Sequence, residues 1–467
     1  MPRRTAKGRA NANSVGVSHN SGKMNQRSCI VIGAGLAGLA AAHFLTKKEW
    51  DVTVLEAEKW TGGRVYSFRF PEASELVCEL GGEWIGNNHR EVLALCEEFN
   101  LETIPHQFDF FFFEKGRRGK QYRAGAWPFP ASAKRQFNKL KNQVRRWSQD
   151  QKDILDKKDW WTILRDRGFA RQDLLHRDLM DSTDFGESIR HAGGYSAAAE
   201  YFESNATDEM DRKIVGGNVK LVRALEKAIW TQNGRVLTST HVTAIEQPEP
   251  EGGVAVRTAE GESFHARYCI CTVPARTLTR IDFRPRLQDD QWDAAKQLQY
   301  CRIMKTAILC ETRFWKKNEN TKFSCFSDAT SDFIFDATLG QPGDKGILCS
   351  YAIGDKADDL DGYLLPALKT KLEDNLQCIF PGAPVCILNI QKQAWQRNAL
   401  TEGAYAFYRP GQWFTVRGVL ARPFKNVHFA GEHLADEQGF MDGAIDSGQD
   451  AARKVIHESG VRRKTKN

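Results

Sequence analysis

The sequence predicts an α/β fold: a parallel-sheet domain, a second sheet-containing domain and a helical insertion. A βαβ unit with spaced glycines opens the chain. A strand–turn–helix near the end returns to the same kind of unit, and a charged helical stretch interrupts the short strands between them.

The first unit is the most specific. The apolar run Ile30-Val31-Ile32 ends in Gly33, Gly35 and Gly38, spaced G-x-G-x-x-G; a helical pattern runs from Leu39 to Leu45, and the next apolar run, Val52 to Leu55, ends on Glu56, 18 residues after Gly38. This is a Rossmann-like dinucleotide site. Gly33 permits the tight turn, Gly35 lets a pyrophosphate approach the backbone, and Gly38 lets helix and strand pack closely. The helix N-terminus offers unpaired N–H groups to phosphate, and Glu56 would bind a ribose diol.

Composition bounds the rest. At 467 residues the chain exceeds one ordinary core, and an apolar fraction of 41% suits a globular protein. The formal charge of +7 is concentrated at the ends: five basic and no acidic groups fall in residues 1–26, and Arg462, Arg463, Lys464 and Lys466 close the chain. The interior is slightly acidic, which argues against nucleic-acid binding by the folded body. Eleven cysteines sit mostly in apolar runs, with no C-x-x-C and no Cys/His pair at ligand spacing. They read as core residues in a reducing compartment, with no metal site. Arg3-Arg4 is not followed by an apolar segment, which argues against a secretory signal and leaves a transit peptide or a disordered extension. No apolar run reaches 18 residues, so the expectation is a soluble, cytoplasmic protein without a membrane span.

After the βαβ unit, Gly62-Gly63-Arg64 and Leu80-Gly81-Gly82-Glu83-Trp84-Ile85-Gly86 precede a helix expected over 91–99. Phe108 to Glu114 and Gln121 to Arg123 read as a hairpin around the loop Lys115–Lys120. From 131 to 202 the pattern is helical and charged, with Trp147, Trp160, Trp161, Ile163 and Leu164 as candidate buried positions and Lys134 to Arg146 as a solvated basic face. Strands are expected at 235–237, 242–245, 254–256 and 268–274, then at 303–309 and 347–353 of a second sheet. Val427 to Glu432 is an apolar strand ending in Gly431 and Glu432, followed by a helix from about Gly443 to Val455.

Taken together, these blocks resemble the flavin-dependent amine oxidases, the family of monoamine, polyamine and L-amino acid oxidases. Gly33 to Glu56, Gly62-Gly63-Arg64, Leu80 to Gly86, Lys213 to Asn218, Phe429 to Glu432 and Gly439-Phe440-Met441 carry the resemblance, which covers roughly residues 28–456. It implies FAD, with the glycine loop on the pyrophosphate, Glu56 on the ribose, Gly63 and Arg64 near the pyrophosphate or flavin edge, and Gly81 and Gly82 beneath the isoalloxazine. Glu83, Trp84 and Met441 fall within the same cofactor-binding blocks, Val242 would frame the adenine, and Gly431 and Glu432 would lie by the ribityl and phosphate groups. Arg64 as a surface ion pair and Glu432 as an N-cap are the plainer alternatives. The domains implied are an FAD-binding domain over 27–107, 212–278 and 396–457, a substrate domain over 108–211 and 279–395 that includes the insertion 131–202, and basic tails at 1–26 and 458–467.

The chemistry implied is oxidation of an uncharged amine held face-on to the flavin between aromatic walls, with O2 reduced to H2O2. Tyr405 and Phe440 match the paired aromatic cage, Phe440 lacking the hydroxyl usual in monoamine oxidases. Lys305, in the apolar run Ile303 to Leu309, matches a lysine linked through water to the flavin. Ala404 stands where monoamine oxidases carry the flavin-bonded cysteine, so FAD is expected to be held noncovalently. An L-amino acid would need an arginine for its carboxylate, and the position after Gly81-Gly82 offers Glu83 instead, which could attract a second ammonium. Amine and L-amino acid remain open as substrates, as do a homodimer, a flavin-dependent desaturase or porphyrinogen-type oxidase acting on C–C bonds, and a noncatalytic flavoprotein.

Overall fold

A computed structural model describes residues 25–203, 211–248 and 252–464. Most of the expected N-terminal tail, and Glu249 to Glu251 of the acidic turn, lie outside the described residues. Five strands form a parallel sheet in the order Val427–Phe429, Tyr268–Cys271, Ser28–Ile32, Asp51–Leu55, Arg235–Leu237. Ser28–Ile32 is central and wholly buried, as an unbroken apolar run in a parallel sheet requires. Its residues alternate between two cores: Ile30 and Ile32 join one, Cys29 and Val31 the other.

The helix Leu36–Thr46, apolar on nearly every side, fills the second core and packs on Met441–Lys464. Gly448 makes this approach close: a Cβ there would stand 2.1 Å from the Ala37 carbonyl oxygen. The last helix is longer than the sequence pattern suggests. It begins at Met441 and runs to Lys464, into the stretch read as a basic tail. The sheet's other core is shared with a four-stranded sheet in the order Ser263–Ala266, Val254–Thr258, Val242–Glu246, Asp282–Arg284.

A second large sheet has seven strands in the order Ile387–Ala394, Ile303–Cys310, Gly346–Ile353, Phe333–Asp336, Phe323–Ser327, Asp109–Glu114, Arg117–Tyr122. It is antiparallel except where Phe323–Ser327 meets Asp109–Glu114. Here too, period-2 alternation decides orientation. Met304, Ile308 and Cys310 face a core under the helix Leu365–Ile379, while Ile303, Ala307 and Leu309 face inward. Lys305 shares the inward face. The hairpin is tighter than the expected loop of 115–120: Lys115 and Gly116 alone make the turn, with φ of 50° and 71°. A two-residue turn with both residues left-handed matches the strand twist, so Arg117–Tyr122 becomes a polar edge strand.

The insertion forms the helices Ala131–Val144, Gln149–Asp156, Trp160–Asp166, Arg171–Phe185 and Gly194–Ala198. Their ends follow local rules: Ser148 and Gln151 form a capping box, Asp159 caps the next helix through Thr162 N, and Gly186 ends Arg171–Phe185 with φ 69°. Trp160, Ile163 and Leu164 are buried, Trp147 and Trp161 half-buried. On Ala131–Val144 only Ala133, Leu140 and Val144 are buried, leaving most of the basic residues solvated.

Candidate active site

A cavity of about 320 Å³ is lined by strand ends of the parallel sheet and by inward residues of the seven-stranded sheet. At one end lies the glycine turn. Gly33 has φ 99° and donates its N–H to the Leu55 carbonyl at 2.8 Å. A Cβ on Gly38 would fall 1.9 Å from the Gly33 carbonyl oxygen, whereas one on Gly35 would meet no atom within 4 Å. Gly35 therefore leaves open space where a ligand can reach the backbone. The helix beginning at Leu36 has no side-chain cap and no acidic residue in its first turn, so its amides remain available to an anion.

Glu56 ends the neighbouring strand, buried, accepting from Ala34 N at 2.6 Å and Glu58 N at 2.8 Å. Burial pushes its carboxyl above the usual range in spite of these donors. Gly63, with φ 56°, sits against Gly35, and Val242 lines the same end of the cavity from its own strand.

Midway, Arg64 donates to Glu432 at 2.8 Å and lies 5.6 Å from the Tyr300 ring centre. With side chains 22% and 7% exposed, this is no surface ion pair. Nor is Glu432 an N-cap: its oxygens accept from Ala406 N at 3.1 Å and Gly439 N at 3.0 Å, tying three distant segments together, while Gly431 before it takes φ 145°. Gly81 has no room for a side chain, since its Cβ would stand 2.0 Å from the Arg64 carbonyl oxygen, and Gly82 rests on Met441. Asn218 supports this floor by donating to the carbonyls of Gly82 and Glu83 at 3.0 and 2.7 Å.

The far end holds the titratable groups. Lys305, 4% exposed, donates to Glu83 Oε2 at 2.7 Å, to the Gly81 carbonyl at 3.0 Å and to the Glu79 carbonyl at 3.3 Å. Its ammonium also lies 5.1 Å from the Trp84 ring centre. Glu83 Oε1 is held by His106 Nε2 at 2.9 Å. A carboxylate only accepts, so Nε2 carries the proton. Burial alone would raise the Glu83 carboxyl, but Lys305, His106 and Lys213 bring it down to about 2. Burial together with the nearby Lys213 takes His106 down to about 4, which leaves it neutral beside the Glu83–Lys305 pair. Both Glu83 oxygens are thus engaged within the protein, and the expectation that Glu83 attracts a substrate ammonium fails.

Tyr405 and Phe440 line this end, as do Trp84 and Ala404. The Tyr405 hydroxyl meets the carbonyls of Thr183 and Asp184 on the insertion, and Gly439, with φ 81°, lies against its ring. Phe440 packs edge-on to His89 at 5.0 Å. Sequence patterns did not indicate Tyr351 or Asp184. Tyr351 pairs in register with Lys305, and its hydroxyl lies 3.4 Å from that of Tyr405; strand alternation from Lys305 could have found it once the two strands were paired. Asp184 carries no local signal. Its carboxylate accepts from Tyr201 at 2.7 Å, and burial together with Asp181 pushes it up to about 7.

The arginines among the described residues lining the cavity are Arg64 and Arg280. Arg64 is committed to Glu432, and Arg280 to Glu402 and the Ala399 carbonyl. Arg177 of the insertion is buried against Asp181 and four aromatic rings, away from the lining. An uncapped helix amide end, an open Gly35 and a buried acid suit a dinucleotide, and at the other end a buried ammonium faces aromatic walls. No described helix is long and apolar enough to cross a membrane.

Residues 36–456 match the family model of flavin containing amine oxidoreductases. The L-amino-acid oxidase of Crotalus adamanteus is 26% identical over 93% of this chain and 88% of its own, and that of Bothrops atrox 25% over 94% and 90%. Among solved structures, a putrescine oxidase bound to putrescine and the cyclohexylamine oxidase of Brevibacterium oxydans IH-35A each superpose with a TM-score of 0.79, at 20% and 21% identity, over 92% of this chain and 99% of theirs. These structures share its fold.

Proposed function

Because the chain belongs to the flavin containing amine oxidoreductase family, we propose that it is an FAD-dependent oxidase of the C–N bond, acting on a primary amine or polyamine. The observation that carries this reading is the buried Lys305–Glu83 pair at the wall of a cavity whose opposite end is a dinucleotide cradle. FAD, when bound, supplies the two-electron oxidation and passes the electrons to O2 as H2O2. The amine gives up a hydride equivalent from the carbon beside nitrogen and becomes an imine, which water hydrolyses to a carbonyl compound and ammonia.

The protein's part is binding, orientation and proton placement. Gly33, Gly35, Gly38, Glu56 and Arg64 hold the cofactor, and Ala404 offers no nucleophile to bond it covalently. Tyr405 and Phe440 wall the substrate and keep bulk water out, which favours the uncharged amine. Lys305, held cationic by Glu83, is positioned to carry a proton through a water molecule. Its longest contact, 3.3 Å to the Glu79 carbonyl, is the one a water would replace. A reducing compartment, the cytoplasm, is proposed from the placement of the cysteines as core residues, nine of the eleven being buried.

A second reading, an L-amino acid as substrate, is supported by the relatives named L-amino-acid oxidase. Among the described residues, the cavity offers its carboxylate no uncommitted arginine. A peroxide-release screen over alkylamines, polyamines and L-amino acids tests both, together with anaerobic bleaching of the purified protein. Yellow protein bleached by amines is expected. Bleaching by L-amino acids alone would select the second reading, and colourless protein that takes up no flavin on reconstitution would overturn both.

A further inference from the structure

A second cavity, of about 390 Å³, adjoins the first and shares Gln438 and Phe440 with it. Its walls are aromatic and acidic. Tyr195, Trp413 and Phe414 supply rings, with Tyr195 4.7 Å from Phe414 and 6.1 Å from Trp413, and Glu200, Asp436 and Glu437 supply carboxylates. The lining cation is Arg417, which is engaged by Asp436, the Leu434 carbonyl and the Trp413 ring face. Two of the walls, Ala199–Glu203 and Trp413–Arg417, are π-helical turns, a distortion that frequently marks functional sites.

Gln438 supplies an independent sign of a ligand. It is 9% exposed, its Nε2 donates to Ser196 Oγ at 3.2 Å, and its Oε1 is buried without a hydrogen-bond partner. A buried acceptor left open at the boundary of two cavities calls for a donor. Glu437 calls for a cation. Burial and the carboxylates of Asp442, Asp446 and Asp436 push its carboxyl up to about 7 against the weaker pull of Arg90, and its hydrogen bond among the described residues is a long one, 3.4 Å from Asn88 Nδ2. An ammonium there would relieve the crowding of negative charge; Tyr195 already faces Lys152 at 5.3 Å and Trp413 faces Arg417 at 4.8 Å, which leaves the Phe414 ring to the ligand.

We propose that this chamber binds the distal cationic group of an elongated amine, a diamine or polyamine, with Glu437 as its counter-ion and Gln438 as a hydrogen-bond acceptor where the chain passes Phe440. This deepens the amine oxidase reading and rests on it. Such a substrate spans both cavities, its reacting nitrogen in the first and its second cation in the other.

The test compares α,ω-diamines with n-alkylamines of matched length on the flavin-loaded enzyme, by peroxide release and by calorimetric binding. At the length that spans the two chambers, the wild type is expected to prefer the diamine by about tenfold or more in kcat/KM, carried by KM, and Glu437→Gln to collapse that ratio towards one. Glu437→Asp should keep part of it. Equal handling of both series at every length would overturn the proposal. So would a preference that survives Glu437→Gln, or selective use of ω-amino acids lost in Arg417→Met, which would make the chamber a carboxylate site. If no amine is oxidised but diamines bind more tightly than alkylamines and lose that advantage in Glu437→Gln, the chamber assignment stands and the oxidase reading falls.

Discussion

Glu83→Gln should destabilise the enzyme far more than a surface substitution would, because it strands a buried ammonium. In the folded protein the Glu83 carboxyl titrates near 2 against an ordinary 4.5, with Lys305 2.7 Å away and both side chains 5% exposed or less. A depression of that size corresponds to about 3 kcal/mol, and truncating one member of a buried pair costs about 3–5 kcal/mol in general. The two figures describe one interaction and are not summed. The sign follows from the direction of each shift. Glu83 is depressed, so its contribution is present above about pH 4.5 and is lost as pH falls towards 2. Lys305 is raised: burial would lower it, but Glu83 outweighs that, so its contribution holds through neutral pH and is lost only above the ordinary lysine range. In Glu83→Gln the burial is opposed only by the Gly81 and Glu79 carbonyls, and the penalty should shrink as alkaline pH lets Lys305 shed its proton. Urea unfolding of the flavin-loaded protein followed by tryptophan fluorescence measures this at pH 5, 7 and 9. Adding Lys305→Met to Glu83→Gln should recover part of the loss, since no charge is then left unpaired. A loss below about 1 kcal/mol at pH 7, or one that grows with pH, would refute the reasoning.

Lys305→Met should keep the cofactor bound yet slow turnover or flavin reoxidation by about tenfold or more in stopped-flow measurements; unchanged kinetics would remove the lysine from the chemistry. Gly38→Ala places a methyl 1.9 Å from the Gly33 carbonyl oxygen, so helix and strand must separate, and flavin affinity on reconstitution should fall by about tenfold or more. Heat or acid denaturation should release the yellow cofactor intact into the supernatant, since Ala404 has no nucleophile; colour remaining with the precipitate would point to a covalent bond elsewhere.

Much of the fold was legible because its signals are local. The spacing of Gly33, Gly35 and Gly38 with Glu56 defines one supersecondary unit, and the nearly unbroken apolar run Ile303–Cys310 marks a strand buried on both faces. Turns and element ends are less legible. The polar residues Arg117 to Lys120 suggest a longer loop, yet polar residues equally suit an exposed edge strand, and Lys115-Gly116 alone makes the turn.

The sequence by itself determined the glycine turn of the βαβ unit, the burial of Lys305 and the aromatic character of Tyr405 and Phe440, since each is set by residue type and short-range periodicity. Only the tertiary structure decided what those groups face. Lys305 meets Glu83 across 222 residues of chain, and Arg64 meets Glu432 across 368. The second chamber likewise draws its walls from the insertion and from two segments near the C-terminus. Such pairings depend on strand order and on the stacking of separate elements over shared cores, and local spacing carries no record of either.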